Sequence, residues 1–127
     1  ALPGTYKAWL STDTESPSTR FDTAFTGLYR LTTADFPTIA EGWTALTSGT
    51  LAHPINADET GKLTEENVFT NTLADGTSAS ELDCTDWSMK DDTKALYGKS
   101  SAMSAGWTNT DTTQCSNPLW LYCFQDL

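Results

Sequence analysis

Cys84-Thr-Asp-Trp87 and Cys115-Ser-Asn-Pro-Leu-Trp-Leu-Tyr-Cys123-Phe-Gln125 bracket the part of the chain on which the fold turns. All three cysteines and three of the five tryptophans fall between Cys84 and Phe124. Leu119 to Phe124 is the most apolar run in the sequence. Six residues without a polar break are too short for an independent helix and suit a strand buried on both faces. The reading is therefore a central strand at Leu119–Phe124, with polar, threonine-rich loops hung on it.

The remaining segments are read outward from that strand. Thr5–Ser11 alternates Tyr6, Ala8 and Leu10 against Trp9 and predicts a strand. Thr12–Thr19 is a polar loop with Asp, Ser and Pro17 as turn formers. Phe21 and Phe25 anchor a short return, and Gly27–Leu31 predicts a second strand. Pro37 marks a break, because proline restricts the residue before it. Ile39, Trp43 and Leu46 recur at helical spacing and predict a helix over Thr38–Thr47, ended by Gly49. Glu65–Thr70 predicts a strand, Asp75-Gly76 a tight turn, and Leu82–Trp87 a further short strand. Lys90–Asn109 is expected to be a long polar loop.

At 127 residues the chain is expected to form one domain, 1–127. A chain of this length buries roughly two-thirds of its unfolded surface. Hydrophobic residues make up only 38%, so a few large aromatics must carry the core. No stretch approaches the roughly 20 apolar residues of a membrane helix. The net charge is −10, from seventeen acids and seven bases. That balance argues against nucleic acid, polyanions and anionic membranes as partners, since these need clustered lysine and arginine.

The odd cysteine count does not follow zinc-site spacing, and His53 is distant in sequence. The thiols read either as three buried side chains or as one internal disulfide plus one cysteine whose partner is absent. Ser-, Thr- and Asn-rich loops favour the second reading and a secreted or surface setting, where disulfides persist. Composition alone stops at a secreted α+β domain with an acidic surface.

Candidate sites each have a plainer competitor. Asp83, Asp86, Asp91 and Asp92 flank Trp87 and offer the oxygens a calcium ion takes, but no known calcium-loop spacing is present, so a solvated acidic loop is the favoured reading. The same holds for Asp58, Glu59, Glu65 and Glu66. Calcium is thus admitted without a motif, and no cofactor is expected. Neighbouring carboxylates are the raw material of acid–base hydrolysis, but with so many acids chance pairs are expected. No Gly-x-Ser-x-Gly nucleophile motif occurs, and His53 beside Pro54 reads as a loop or packing residue. No catalytic residue is assigned. Trp107, set in Ser-Ala-Gly-Trp-Thr-Asn-Thr, has the most polar surroundings of the tryptophans and is the candidate ligand contact; burial as the anchor of a long loop is nevertheless the favoured reading.

The order of several blocks carries a resemblance. Gly4–Ser11, Gly42–Gly49, Val68-Phe69 with Asp75-Gly76, Cys84–Trp87, and Cys115 followed by Leu-Tyr-Cys123-Phe-Gln125 together resemble a bacterial domain of unknown function found in leptospiral and other surface proteins. That domain is similar in turn to vertebrate endostatin, the C-terminal domain of collagens XV and XVIII. The resemblance implies an endostatin-like variant of the C-type lectin-like fold: a small twisted, mainly antiparallel sheet with short helices and long loops. It implies a Cys84–Cys115 disulfide. It also implies that Cys123 pairs with a cysteine on an N-terminal helix that this sequence, opening Ala1-Leu-Pro-Gly4, lacks. Cys123 is then free, or linked to an upstream segment or another chain.

The functional residues of those relatives do not carry over. The N-terminal zinc histidines, the arginine-based heparin surface and the Glu-Pro-Asn calcium loop have no counterparts, and the only arginines are Arg20 and Arg30. The resulting expectation is a non-enzymatic recognition or adhesion module, secreted or at a bacterial cell surface, with a protein or glycan ligand. The alternative is a structural subunit of an extracellular assembly, whose missing element a neighbour supplies.

Overall fold

A computed structural model describes residues 3–80, 83–88 and 93–126. The chain is a small α+β domain of short helices and antiparallel sheets. β1 (Thr5–Ala8) pairs with β7 (Cys123–Asp126), β2 (Leu28–Arg30) with β3 (Thr38–Glu41), and β4 (Asn67–Phe69), β5 (Lys94–Lys99) and β6 (Asp111–Gln114) form a three-stranded sheet with β5 in the middle. Every strand pair in these sheets is antiparallel. α1 (Pro17–Arg20) and α2 (Gly42–Leu46) are single turns, and Ala105–Trp107 is a 3-10 turn.

The core is aromatic, as the composition requires. Trp9 is fully buried and meets Phe21, Trp43, Trp107 and Phe124 at ring-centroid distances of 4.8–6.0 Å. Such tilted and edge-on contacts are the favoured geometry for aromatic rings. Leu31, Ile39, Leu46, Leu51 and Val68 fill the space around them. A second cluster holds Phe69, Ala95 and the Cys84–Cys115 disulfide. Closing that loop contributes about 3–4 kcal/mol in the chain-entropy account.

Between the clusters runs a buried polar seam, which is where the abundant threonine goes. Ser11, Thr70, Asn71, Thr72 and Thr108 are all fully buried. The Trp9 indole N–H donates to Thr108 Oγ1 at 2.8 Å, and that hydroxyl donates to the Thr72 carbonyl at 2.8 Å. Thr70 Oγ1 donates to the Thr108 carbonyl at 2.6 Å, while Ser11 Oγ and Thr72 Oγ1 share a hydrogen bond of 2.8 Å. Buried hydroxyls are tolerated only when paired in this way.

Five expectations need correction. Leu119–Phe124 is not a central strand. Only Cys123 and Phe124 enter β7, in a two-stranded sheet, and Trp120 makes a single bridge to Val68. Trp120 and Leu121 are 46% and 50% exposed, so half of the apolar run faces outward. Thr38–Thr47 is a strand and then a helical turn, because Gly42 takes φ +80° and turns the corner between β3 and α2. A side chain there would also meet the Phe25 carbonyl at 3.0 Å.

Lys90–Asn109 contains β5, the middle strand of the largest sheet. Cys84–Trp87, expected as a strand, is one left-handed helical turn with φ between +54° and +62° at all four residues. The other part of that expectation, Leu82, lies outside the described residues. The strands expected near Thr5, Gly27 and Glu65 are present with trimmed ends, and Leu73 to Thr77 closes the Asp75-Gly76 turn. α1 replaces the end of the expected Thr12–Thr19 loop.

Candidate functional site

Trp107 is not a surface contact. It is fully buried, its ring packs on Trp9 and Tyr122, and its carbonyl accepts from the Tyr122 hydroxyl at 2.8 Å. Its polar neighbours in sequence are loop residues around a core anchor. The outward-facing tryptophan is Trp120.

Trp120 borders a groove of about 890 Å³. Its lining includes residues 120–126, together with Phe21, Asp22, Phe25, residues 28–32, Phe36, Ile55 and residues 57–59. Four large apolar side chains that are 41–56% exposed, Leu28, Phe36, Trp120 and Leu121, all border it. Phe25, Tyr29 and Ile55 add apolar lining. Burial raises the Tyr29 hydroxyl pKa, with a further contribution from the charge on Asp22, so this phenol stays protonated and able to donate.

The lining is charged asymmetrically. Asp22, Asp58, Glu59, Glu66 and Asp126 face two cations, Lys7 and Arg30. Lys7 is already engaged, 3.2 Å from Asp126 and donating to the Arg20 carbonyl at 3.0 Å. Arg20 lies apart from this lining, its guanidinium donating to the carbonyls of Ala8 and Leu10.

Cys123 carries no disulfide and borders the same groove. Partial burial raises its thiol pKa, and Glu59 adds to the effect, so the group is a thiol and not a thiolate at neutral pH. Cys84 and Cys115 are joined to each other, as the resemblance implied.

The acidic candidates sort differently from their order in sequence. Asp83 and Asp86 come together, and the third carboxylate beside them is Asp13, from the loop after β1. One ligand oxygen from each lies within 4.8 Å of those of the other two. Asp91 and Asp92 lie outside the described residues. Asp83 Oδ1 accepts the Asp86 backbone N–H at 3.0 Å, which ties Asp83 to the left-handed turn that follows it. Hydrogen bonding with Asp83 raises the Asp86 pKa most, followed by desolvation and the negative charges of Asp13 and Asp83. The signal for Asp13 in the sequence was only its place in a polar loop.

The second acidic group does not converge. Asp58 instead closes its own turn, its Oδ1 accepting from Thr60 N, Thr60 Oγ1 and Lys62 N at 2.6–3.1 Å. Those bonds, the Thr60 hydroxyl first, hold its pKa below the usual carboxylate value. His53 is half-buried with Nδ1 2.7 Å from the Pro54 carbonyl, a local packing role.

No helix among the described residues is long and apolar enough to cross a membrane. Models of known protein families find no match to the chain, and neither does a search of characterised proteins.

Proposed function

We propose that the chain is an extracellular recognition and adhesion module of the endostatin-like, C-type lectin-like kind, which binds a segment of a partner protein in the Trp120 groove. The observation that supports this is the coincidence of four exposed apolar side chains in one groove with an acidic lining. Contiguous exposed apolar surface of this sort marks interaction sites. An exposed tryptophan at its edge is the residue type that most often dominates binding energy. The excess of carboxylates selects a partner segment with apolar anchors and basic flanks. The disulfide suits an oxidising, secreted or cell-surface setting. This reading assigns binding and no turnover.

The test is binding of the intact chain to immobilised matrix proteins, serum proteins and glycans, alongside Trp120→Ala. Saturable binding to a protein, weakened by salt and reduced about thirtyfold or more in the variant, supports the reading. Salt-insensitive binding to a glycan, or protein binding that the variant leaves intact, overturns it.

A second reading is favoured by the free Cys123 at the groove. Here the domain is a structural subunit whose groove is filled by a neighbouring segment, covalently held through that thiol. Mass measurement of native material with and without reductant separates the two. Release of a second polypeptide by reduction establishes the subunit, and an unchanged chain excludes the covalent link.

A further inference from the structure

We propose that Asp13, Asp83 and Asp86 form a binding site for a calcium-sized divalent cation, which staples the loop after β1 to the left-handed turn beside the disulfide. Oxygens bound to one calcium ion at 2.3–2.6 Å lie at most about 5 Å apart. The three carboxylates meet that condition, each with a ligand oxygen within 4.8 Å of the others.

Proximity alone would not distinguish this group from any cluster of surface acids. Asp83 does. It is 5% exposed, and while Oδ1 accepts the Asp86 backbone N–H at 3.0 Å, Oδ2 is buried and receives no hydrogen bond as long as the Asp86 carboxyl beside it is ionised. A buried carboxylate oxygen without a partner is among the costliest arrangements in a protein interior. The ion pair found among the described residues joins Lys7 to Asp126 and does not reach this group. A bound cation supplies the missing partner.

The donors also choose the ion. All three are hard carboxylate oxygens with no nitrogen or sulfur donor, the set that suits calcium, magnesium or manganese. Two of them, Asp13 and Asp86, are exposed and leave room for water. Calcium takes six to eight oxygens in irregular geometry, whereas magnesium requires a near-ideal octahedron. The backbone around the site is already gathered: the Trp87 indole N–H donates to the Ser11 carbonyl at 2.9 Å, and Ser78 Oγ donates to the Thr12 carbonyl at 3.0 Å. Binding therefore joins two segments remote in sequence without needing them to travel. The effect is on stability and loop order, and it is separate from the Trp120 groove.

The test is calorimetric titration of the chelator-treated, disulfide-intact chain with calcium chloride, paired with thermal unfolding. The expected result is one ion per chain with Kd about 0.1–1 mM, the range of extracellular calcium modules. The melting temperature then rises by about 5–10 °C near 10 mM calcium. Magnesium binds at least about tenfold more weakly. Asp13→Asn and Asp86→Asn, both at exposed positions, each weaken calcium binding about tenfold or more. Without metal both melt no lower than the unaltered chain, since each removes like-charge repulsion. Asp35→Asn, remote from the group, leaves calcium binding unchanged. Absence of saturable binding near 10 mM calcium, or unaltered affinity in both Asp13→Asn and Asp86→Asn, overturns the proposal.

Discussion

Of the glycines, Gly98 leaves the least room for a side chain, and replacing it by alanine tests the packing of Trp107 against β5. Gly98 lies in β5 opposite Val68 of β4, with the backbone of Trp107 and Thr108 laid across it. A Cβ at this position would stand 2.6 Å from Thr108 Cα and closer still to the Trp107 carbonyl. Ordinary contact begins near 3.4 Å, so the two backbones must part by about 0.8 Å or more. Neither is free to move. β5 is paired on both sides, and Trp107 is locked between Trp9 and Tyr122.

The cost should reach the upper end of overpacking, about 3 kcal/mol. For a domain of this size that lowers the melting temperature by roughly 10–15 °C. Gly49→Ala is the matched control. Nothing lies within 4 Å of its added Cβ, but its φ is +89°. It should lose about 1 kcal/mol from backbone strain alone, or roughly 4 °C. Thermal unfolding by circular dichroism and urea titration read both. If Gly98→Ala melts within a few degrees of the unaltered chain, or Gly49→Ala costs more, the packing of Trp107 over β5 described above is wrong.

Thr108→Val keeps the shape but leaves the Trp9 indole N–H and the Thr72 carbonyl unpaired in the core; urea titration should show a loss of about 2–4 kcal/mol. Cys123, with its raised pKa, should react with iodoacetamide more slowly at pH 7–8 than an unstructured cysteine peptide, catching up only as the pH rises further. Asp75 is held below the usual carboxylate pKa by the Thr77 hydroxyl first and the Thr77 backbone N–H second. Its contribution to stability is therefore present above the unfolded carboxylate pKa and is lost as pH falls through the lower, folded value. Asp75→Asn should flatten that acid limb in a pH series of melting curves.

Much of the framework was legible in the sequence where large apolar residues mark it. Tyr6 and Trp9, Leu28 and Tyr29, and Val68 and Phe69 signalled β1, β2 and β4. β5 was hidden because its buried residues are Ala95 and Gly98, which carry no strong apolar signal, and its ends are lysines. Leu119–Phe124 misled for the opposite reason. An apolar run looks the same in sequence whether it lines a core or an open groove, and here it does both. Ile39, Trp43 and Leu46 are all buried as their spacing suggested, yet Gly42 places the first on a strand. At the acidic site Asp83 and Asp86 could be singled out from their place beside Trp87. Asp13 could not, because only tertiary contacts bring its loop to them.

The threonine-lined seam decides where the backbone is most firmly shut. Ser11 N–H donates to the Thr70 carbonyl, Trp9 N–H to the Tyr122 carbonyl, and the Thr70 and Asn71 N–H groups both to the Leu96 carbonyl. Among their donors, Trp9, Ser11, Thr70 and Asn71 lie outside every named strand, at positions with no side-chain or backbone exposure. Exchange of amide protons with heavy water requires such bonds to open. The last protons to leave should therefore come from this irregular backbone, and the short two-stranded ladders at the surface should lose theirs first. In this molecule the slow-exchanging core is a knot of loops, and the regular strands are its fringe.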